Sequence, residues 1–161
     1  MSVISQKIGS LNFIAVFIFV LFAILDSNVT TKAQSSQTIP EIGRWATKEN
    51  DGVFDIYFCG QKLCGRFVGM QYTTDLPPNT KYGRSQCKFV MLRDFVKDKS
   101  GKYWRGIILD PRNEKSYDAK IWLANKDVLR LRGYLGISLF GETHVWHRYT
   151  GDILPNCKLP Q

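Results

Sequence analysis

The chain has 161 residues, 44% of them hydrophobic and 13% aromatic, with 22 Lys and Arg against 14 Asp and Glu for a formal net charge of +8. That length is one domain's worth of chain. The cations are scattered along the chain, which argues against a dedicated polyanion-binding arm; a charge of this size keeps a chain soluble or draws it toward anionic envelope surfaces.

In chain order, Lys7 precedes an apolar run from Leu11 to Leu25, broken only by Asn12 and ending before Asp26. As a helix the run would reach roughly 22 Å, short of the roughly 30 Å hydrocarbon core of a bilayer. It suits the core of an export signal better than an uncleaved anchor. Thr31-Lys32-Ala33-Gln34 places small residues at the positions a signal peptidase reads, with cleavage after Ala33. The expected organisation is a signal peptide over 1–33, a flexible leader over 34–41, a β domain over 42–150 and a C-terminal tail over 151–161. The mature chain then has no stable membrane span, keeps 20 basic and 13 acidic residues for a charge of +7, and resides in the periplasm or is secreted.

Beyond Pro40 there is no long amphipathic helix. Short runs of aromatic and β-branched residues, bounded by Gly, Asn, Asp and Pro, predict eight strands at 42–48, 52–59, 63–71, 87–96, 103–110, 116–123, 127–135 and 139–149. Asn50-Asp51-Gly52, Lys99-Ser100-Gly101, Asn125-Lys126-Asp127 and Gly136-Ile137-Ser138 supply hairpin turns. The long connection over 72–86 is either a lid over a cavity or a poorly ordered excursion. Alternation is visible: Phe54, Ile56 and Phe58 oppose Asp55 and Tyr57, and Leu129, Leu131 and Leu135 oppose Arg130, Arg132 and Tyr134. Strands joined by short hairpins predict an all-β fold, an eight-stranded antiparallel up-and-down barrel, with a two-sheet sandwich as the alternative.

All four cysteines lie in the mature part. In an exported small domain they read as two disulfides rather than zinc ligands. Cys59 and Cys64 flank a hairpin-like Gly60-Gln61-Lys62-Leu63, which favours their pairing and leaves Cys87 with Cys157 by elimination.

Gly43-Arg44-Trp45 on the first strand and Trp146-His147-Arg148 on the last are similar to lipocalin and wider calycin barrels, in which a Gly-x-Trp packs beneath an arginine from the end of the barrel. That resemblance implies structural roles for Gly43, Trp45, Trp146 and Arg148. A guanidinium stacked on an indole contributes about 0.5–2 kcal/mol. Across 42–149 the chain more closely resembles the bacterial exported family catalogued as domain of unknown function 2147. The resemblance is carried by Cys59-Gly60-Gln61-Lys62-Leu63-Cys64-Gly65-Arg66, by Asp110-Pro111 with Lys115-Ser116-Tyr117, by Leu131-Arg132-Gly133-Tyr134-Leu135-Gly136, and by Gly141-Glu142-Thr143 leading to Trp146 and Arg148. It implies a calycin-like barrel in the bacterial envelope and lends no activity. Arg105-Gly106 departs from an expected pair of glycines, and Cys157 falls outside the pattern.

Catalytic signals are sparse. His144 and His147 are three apart on a predicted strand, so they face opposite ways and cannot share a metal. No Gly-x-Ser-x-Gly, His-Glu-x-x-His or phosphate-cradling loop occurs, and no metal or cofactor is expected. Asp110-Pro111-Arg112-Asn113 reads as turn chemistry. The expected function is non-enzymatic: binding a small apolar, amphipathic or anionic ligand at the open end of the barrel, or a protein or cell-envelope partner through a basic strand face. Arg66, Tyr117, Arg130, Arg132 and Tyr134 are the binding candidates, Arg66 on condition that its strand neighbours the others and faces the same way. Export removes nucleic acid from the partners. The reading from another class is a hydrolase or isomerase using His144 or His147 with an acid such as Asp110. The state of the barrel interior separates the two.

Overall fold

The structure, a computed structural model, describes residues 39–160, so the expected export signal and most of the leader lie outside the described residues. Eight strands follow in order: β1 (Gly43–Thr47), β2 (Gly52–Cys59), β3 (Lys62–Met70), β4 (Val90–Lys97), β5 (Trp104–Leu109), β6 (Ser116–Asn125), β7 (Val128–Tyr134) and β8 (Glu142–Arg148). Each pairs antiparallel with the next, and β8 returns to β1 through Trp45 opposite Arg148 and Thr47 opposite Trp146. The sheet closes as a barrel, so the sandwich alternative falls, and every strand has two neighbours. Among the described residues no helix is long and apolar enough to cross a membrane.

The period of two decides what lies inside. Phe54, Ile56, Leu63, Ile121, Leu129 and Leu131 are buried, whereas Arg130 and Asp118, one residue out of phase, are exposed. Two close approaches make the plug dense. A Cβ at Gly106 would sit 2.5 Å from the Arg93 carbonyl oxygen and 2.6 Å from Phe95 Cδ2, and one at Gly65 would sit 2.7 Å from Leu92 Cδ1. These glycines make room for the Phe95 and Leu92 side chains. Arg105 points outward to Asp98, 3.2 Å away, so the departure from a glycine pair meets no steric obstacle there.

Two strands start three residues later than predicted. The fourth begins at Val90, because Lys88 adopts a positive φ of 63° that breaks the extended run. The eighth begins at Glu142: residues 135–141 form a connection containing a 3-10 turn at Ser138–Phe140, and Leu135, expected on the inward face of the seventh strand, is 69% exposed in it.

The tail packs on the outside of the barrel. Leu159 joins Ala46 and Val53 in a second small core flanked by Val68, Tyr149 and Ile153, and its N–H donates to the Met70 carbonyl at 3.0 Å. The long connection before β4 is also tied down. Lys81 N–H donates to the Pro111 carbonyl at 3.0 Å, Arg84 pairs with Glu114, and Cys87 is bridged to Cys157 in the tail.

Candidate functional site

The two ends of the barrel differ. At one end the Arg148 guanidinium stacks 3.9 Å from the centre of the Trp45 ring and donates to the carbonyls of Pro40, Ile42 and Lys126 at 2.7, 3.2 and 3.0 Å. Trp45 Nε1 donates to the Glu41 carbonyl at 2.9 Å. Gly43, at φ 121°, lets the guanidinium through, since a Cβ there would lie 3.1 Å from Arg148 Nη1. Trp45, Leu63, Phe95, Ile121 and Leu129 are fully buried at this end and fill it. Among charged side chains here, Glu41 is buried, with Oε1 accepting from Lys97 Nζ at 3.0 Å.

At the opposite end a cavity of about 800 Å³ opens. Phe54, Phe67, Met91, Ile108, Leu131 and Trp146 form its apolar wall. The Phe54 ring stacks on Trp146 at 4.2 Å and leans against Phe67 at 4.4 Å. Gly133 contributes space: an added Cβ there would meet only Ile108 Cγ2, at an ordinary 3.6 Å. Polar groups also line the cavity, among them Tyr117, Asp110, Arg112, Gln86, Glu142 and His144. Apolar walls with a few convergent polar groups, at a volume of about 300–1,000 Å³, are the usual form of a small-molecule site.

The mouth is organised by the turn between β5 and β6. Asp110 accepts from Arg112 Nε at 3.0 Å and Nη2 at 2.9 Å, from the Arg112 N–H at 2.9 Å, and from Asn113 Nδ2 at 3.3 Å. The hydrogen bond from the Arg112 side chain is the main cause holding the Asp110 carboxyl below its ordinary value of 3.8, against partial burial. Nearby, the Thr80 hydroxyl and then Arg84 hold Glu114 low, which ties this turn to the long connection.

The five binding candidates do not converge. Tyr117 alone has its side chain in the cavity, with its hydroxyl 3.5 Å from Asn113 Nδ2. Tyr134 reaches the rim, but its hydroxyl lies on the outer face, accepting from Arg105 Nη1 at 3.4 Å. Arg130 and Arg132 face outward. Arg66 is outward too, 3.0 Å from Asp55 and over the Tyr57 ring, but β3 neighbours β2 and β4 rather than β7. The condition for its joining the arginine stripe is therefore not met. His144 lines the cavity while His147 faces outside, as the spacing requires; His144 Nε2 lies 3.9 Å from Glu142 Oε1. Among the described residues no group of three or more His, Cys, Asp or Glu side chains is placed to hold a metal. The four cysteines form Cys59–Cys64 and Cys87–Cys157.

The cavity wall was the part the sequence reading missed. Phe54 and Leu131 stood on apolar faces there, but nothing local told a wall from a plug. Gly133, a glycine between inward-facing leucines and the mouth, was the available signal.

A closed antiparallel barrel of eight strands, plugged beneath an arginine at one end and open onto an apolar cavity at the other, is a lipocalin-like barrel. A solved structure described as "Protein HP1028 from the human pathogen Helicobacter pylori belongs to the lipocalin family" is similar in fold, with a TM-score of 0.55 and 20% identity over 68% of this chain and 82% of that chain. The chain belongs to the family of uncharacterized proteins conserved in bacteria, DUF2147, whose model matches residues 43–148. No curated protein matches it.

Proposed function

We propose that this protein is an exported, non-enzymatic carrier that takes a small apolar or amphipathic ligand into the open end of its barrel. The observation that carries the reading is the aromatic-walled cavity of about 800 Å³. The apolar wall would hold a hydrocarbon or ring system, and Tyr117 and His144 would meet a polar head. Both disulfides, together with the apolar run and Thr31-Lys32-Ala33, support work in the periplasm or outside the cell. The hydrolase or isomerase reading has less support. A base needs an orienting partner within hydrogen-bond reach, whereas His144 and Glu142 stand 3.9 Å apart and Asp110 is committed to Arg112 and Asn113.

Native mass spectrometry of protein recovered from the periplasm tests for a copurifying ligand, and N-phenyl-1-naphthylamine fluorescence tests the cavity directly. Gly133→Leu, which fills the space between β7 and Ile108, is expected to weaken probe binding at least about tenfold. A bare mass together with no probe binding, or a variant that binds the probe as wild type does, overturns the reading. Turnover of a generic ester that is lost in His144→Ala would replace it with the enzymatic one.

A further inference from the structure

We infer that residues 135–141 and the adjoining outer face of β5–β7 form a docking surface for an anionic lipid bilayer. The loop reads Leu135-Gly136-Ile137-Ser138-Leu139-Phe140-Gly141 and contains no charge. Leu135, Ile137, Leu139 and Phe140 are 69, 59, 75 and 79% exposed. Four of the ten exposed large hydrophobics among the described residues thus fall in this one loop. Soluble surfaces rarely gather apolar side chains in this way without a partner.

The loop is held from beneath. Arg132 Nε donates to the Ser138 carbonyl at 2.6 Å, Nη2 to the Leu139 carbonyl at 3.0 Å and Nη1 to Thr143 Oγ1 at 2.6 Å, while Lys120 Nζ reaches Ser138 Oγ at 3.3 Å. Arg132 thereby fixes the loop backbone and Lys120 holds the Ser138 side chain, while Leu135 and Phe140 border the cavity mouth and Ile137 and Leu139 point to solvent. The ordering cost that usually opposes docking of a loop is already met in the free protein.

Chemistry along the neighbouring face identifies the occupant. Tyr103 and Trp122 meet edge to face at 5.5 Å, and Lys120 lies over both rings at 4.8 and 5.7 Å. Lys102, Arg105, Lys120, Arg130 and Arg132 stand on this side against Asp98 and Asp118, five cations to two acids. The open rim elsewhere is balanced, with Lys48, Lys81, Arg84, Lys88, Arg112 and Lys115 against Glu49, Asp51, Asp75, Asp110, Glu114 and Glu142, so positive charge accumulates on the β5–β7 side of the apolar loop. An uncharged apolar tip bordered by Trp, Tyr and long cations matches the order of a bilayer from acyl chains to anionic headgroups. A single short loop is small for a protein partner, since a stable interface takes about 20–30 residues a side. A few inserted side chains with cations behind them suffice for a bilayer.

Ile137 and Leu139 do not line the cavity, so docking and ligand binding can be tested apart. Flotation with phosphatidylcholine vesicles containing a minority of phosphatidylglycerol is the experiment. Wild type is expected to float with them and only weakly with phosphatidylcholine alone. The double variant Ile137→Ser/Leu139→Ser is expected to bind them at least about tenfold less, with N-phenyl-1-naphthylamine binding and circular dichroism unchanged. Arg130→Glu is expected to lower binding to the anionic vesicles several-fold. Absence of wild-type flotation, or a double variant that floats like wild type, overturns the proposal. So does concentration-dependent self-association without vesicle binding that the double variant abolishes, which would assign the loop to a second copy of the chain.

Discussion

Arg148 joins the two termini of the barrel through one planar group. Its face covers Trp45, and its edge donates to three carbonyls contributed by the chain before β1 and by the turn between β6 and β7. A lysine carries the same charge but has neither the plane to stack nor the fork to reach three acceptors. Arg148→Lys is therefore expected to destabilise the fold by about 2–3 kcal/mol, from lost charge-assisted hydrogen bonds and stacking, read as a shift in the urea midpoint at constant slope. A loss under about 0.5 kcal/mol would mean that the residues around Trp45 close the end without it. This end was legible in the sequence because a Gly-x-Trp and a terminal arginine are a signature of chemistry as well as of position. Gly43 is part of it, since its missing side chain is what admits Nη1.

At the scale of elements, the two disulfides make unequal contributions. Cys59–Cys64 closes a separation of 5 residues within one hairpin, while Cys87–Cys157 closes 70 and fastens the connection before β4 to the tail. Loop-closure entropy alone gives upper values of about 2 and about 4 kcal/mol. Replacing Cys87 and Cys157 together by Ser is thus expected to lower stability by roughly 2 kcal/mol more than replacing Cys59 and Cys64, measured by urea unfolding without reductant. Equal losses would show that the hairpin bridge acts on the native state rather than on the unfolded chain.

The β5–β6 turn carries part of the pH dependence. Asp110 is held below its ordinary 3.8 by Arg112, so its contribution is present above the unfolded value and is lost as pH falls through the lower folded one. Because Arg112 is 85% exposed, solvent screening limits that contribution to about 0.5–1 kcal/mol. Asp110→Asn should be less stable than wild type by that amount at neutral pH, and the gap should close as unfolding is followed from pH 5 toward pH 2. A gap that stays constant would mean that the Asp110 contacts do not depend on its charge.

Strand positions could be read from the chain because alternation and turn residues are local. The tail's packing against Ala46 and Val53, and the clamp of Arg132 on residues 135–141, could not, because each joins residues whose meeting depends on barrel closure.

For the whole molecule, the division between a filled half and an open half is a matter of depth along the barrel. Leu129 and Leu131 are neighbours on one inward face, yet the first belongs to the plug and the second to the cavity wall. No feature of either leucine foretells this. Gly65 and Gly106 give up side chains so that Leu92 and Phe95 can fill the barrel, whereas at Gly133 no larger side chain from another strand takes the space. The same residue type thus tightens one half and opens the other. If the space at Gly133 serves ligand binding, it is held at a cost in stability. Glycine within a strand loses roughly 0.5–1 kcal/mol to backbone entropy, and a side chain there would add contact with Ile108. Gly133→Leu should therefore raise unfolding stability by roughly 0.5–1 kcal/mol while weakening N-phenyl-1-naphthylamine binding, two effects of opposite sign from one substitution. Parallel urea unfolding and probe titration read both. Loss of stability together with loss of binding would mean overpacking at a position that has no spare room. A gain in stability with binding intact would take the probe out of the space between β7 and Ile108 and overturn the carrier reading.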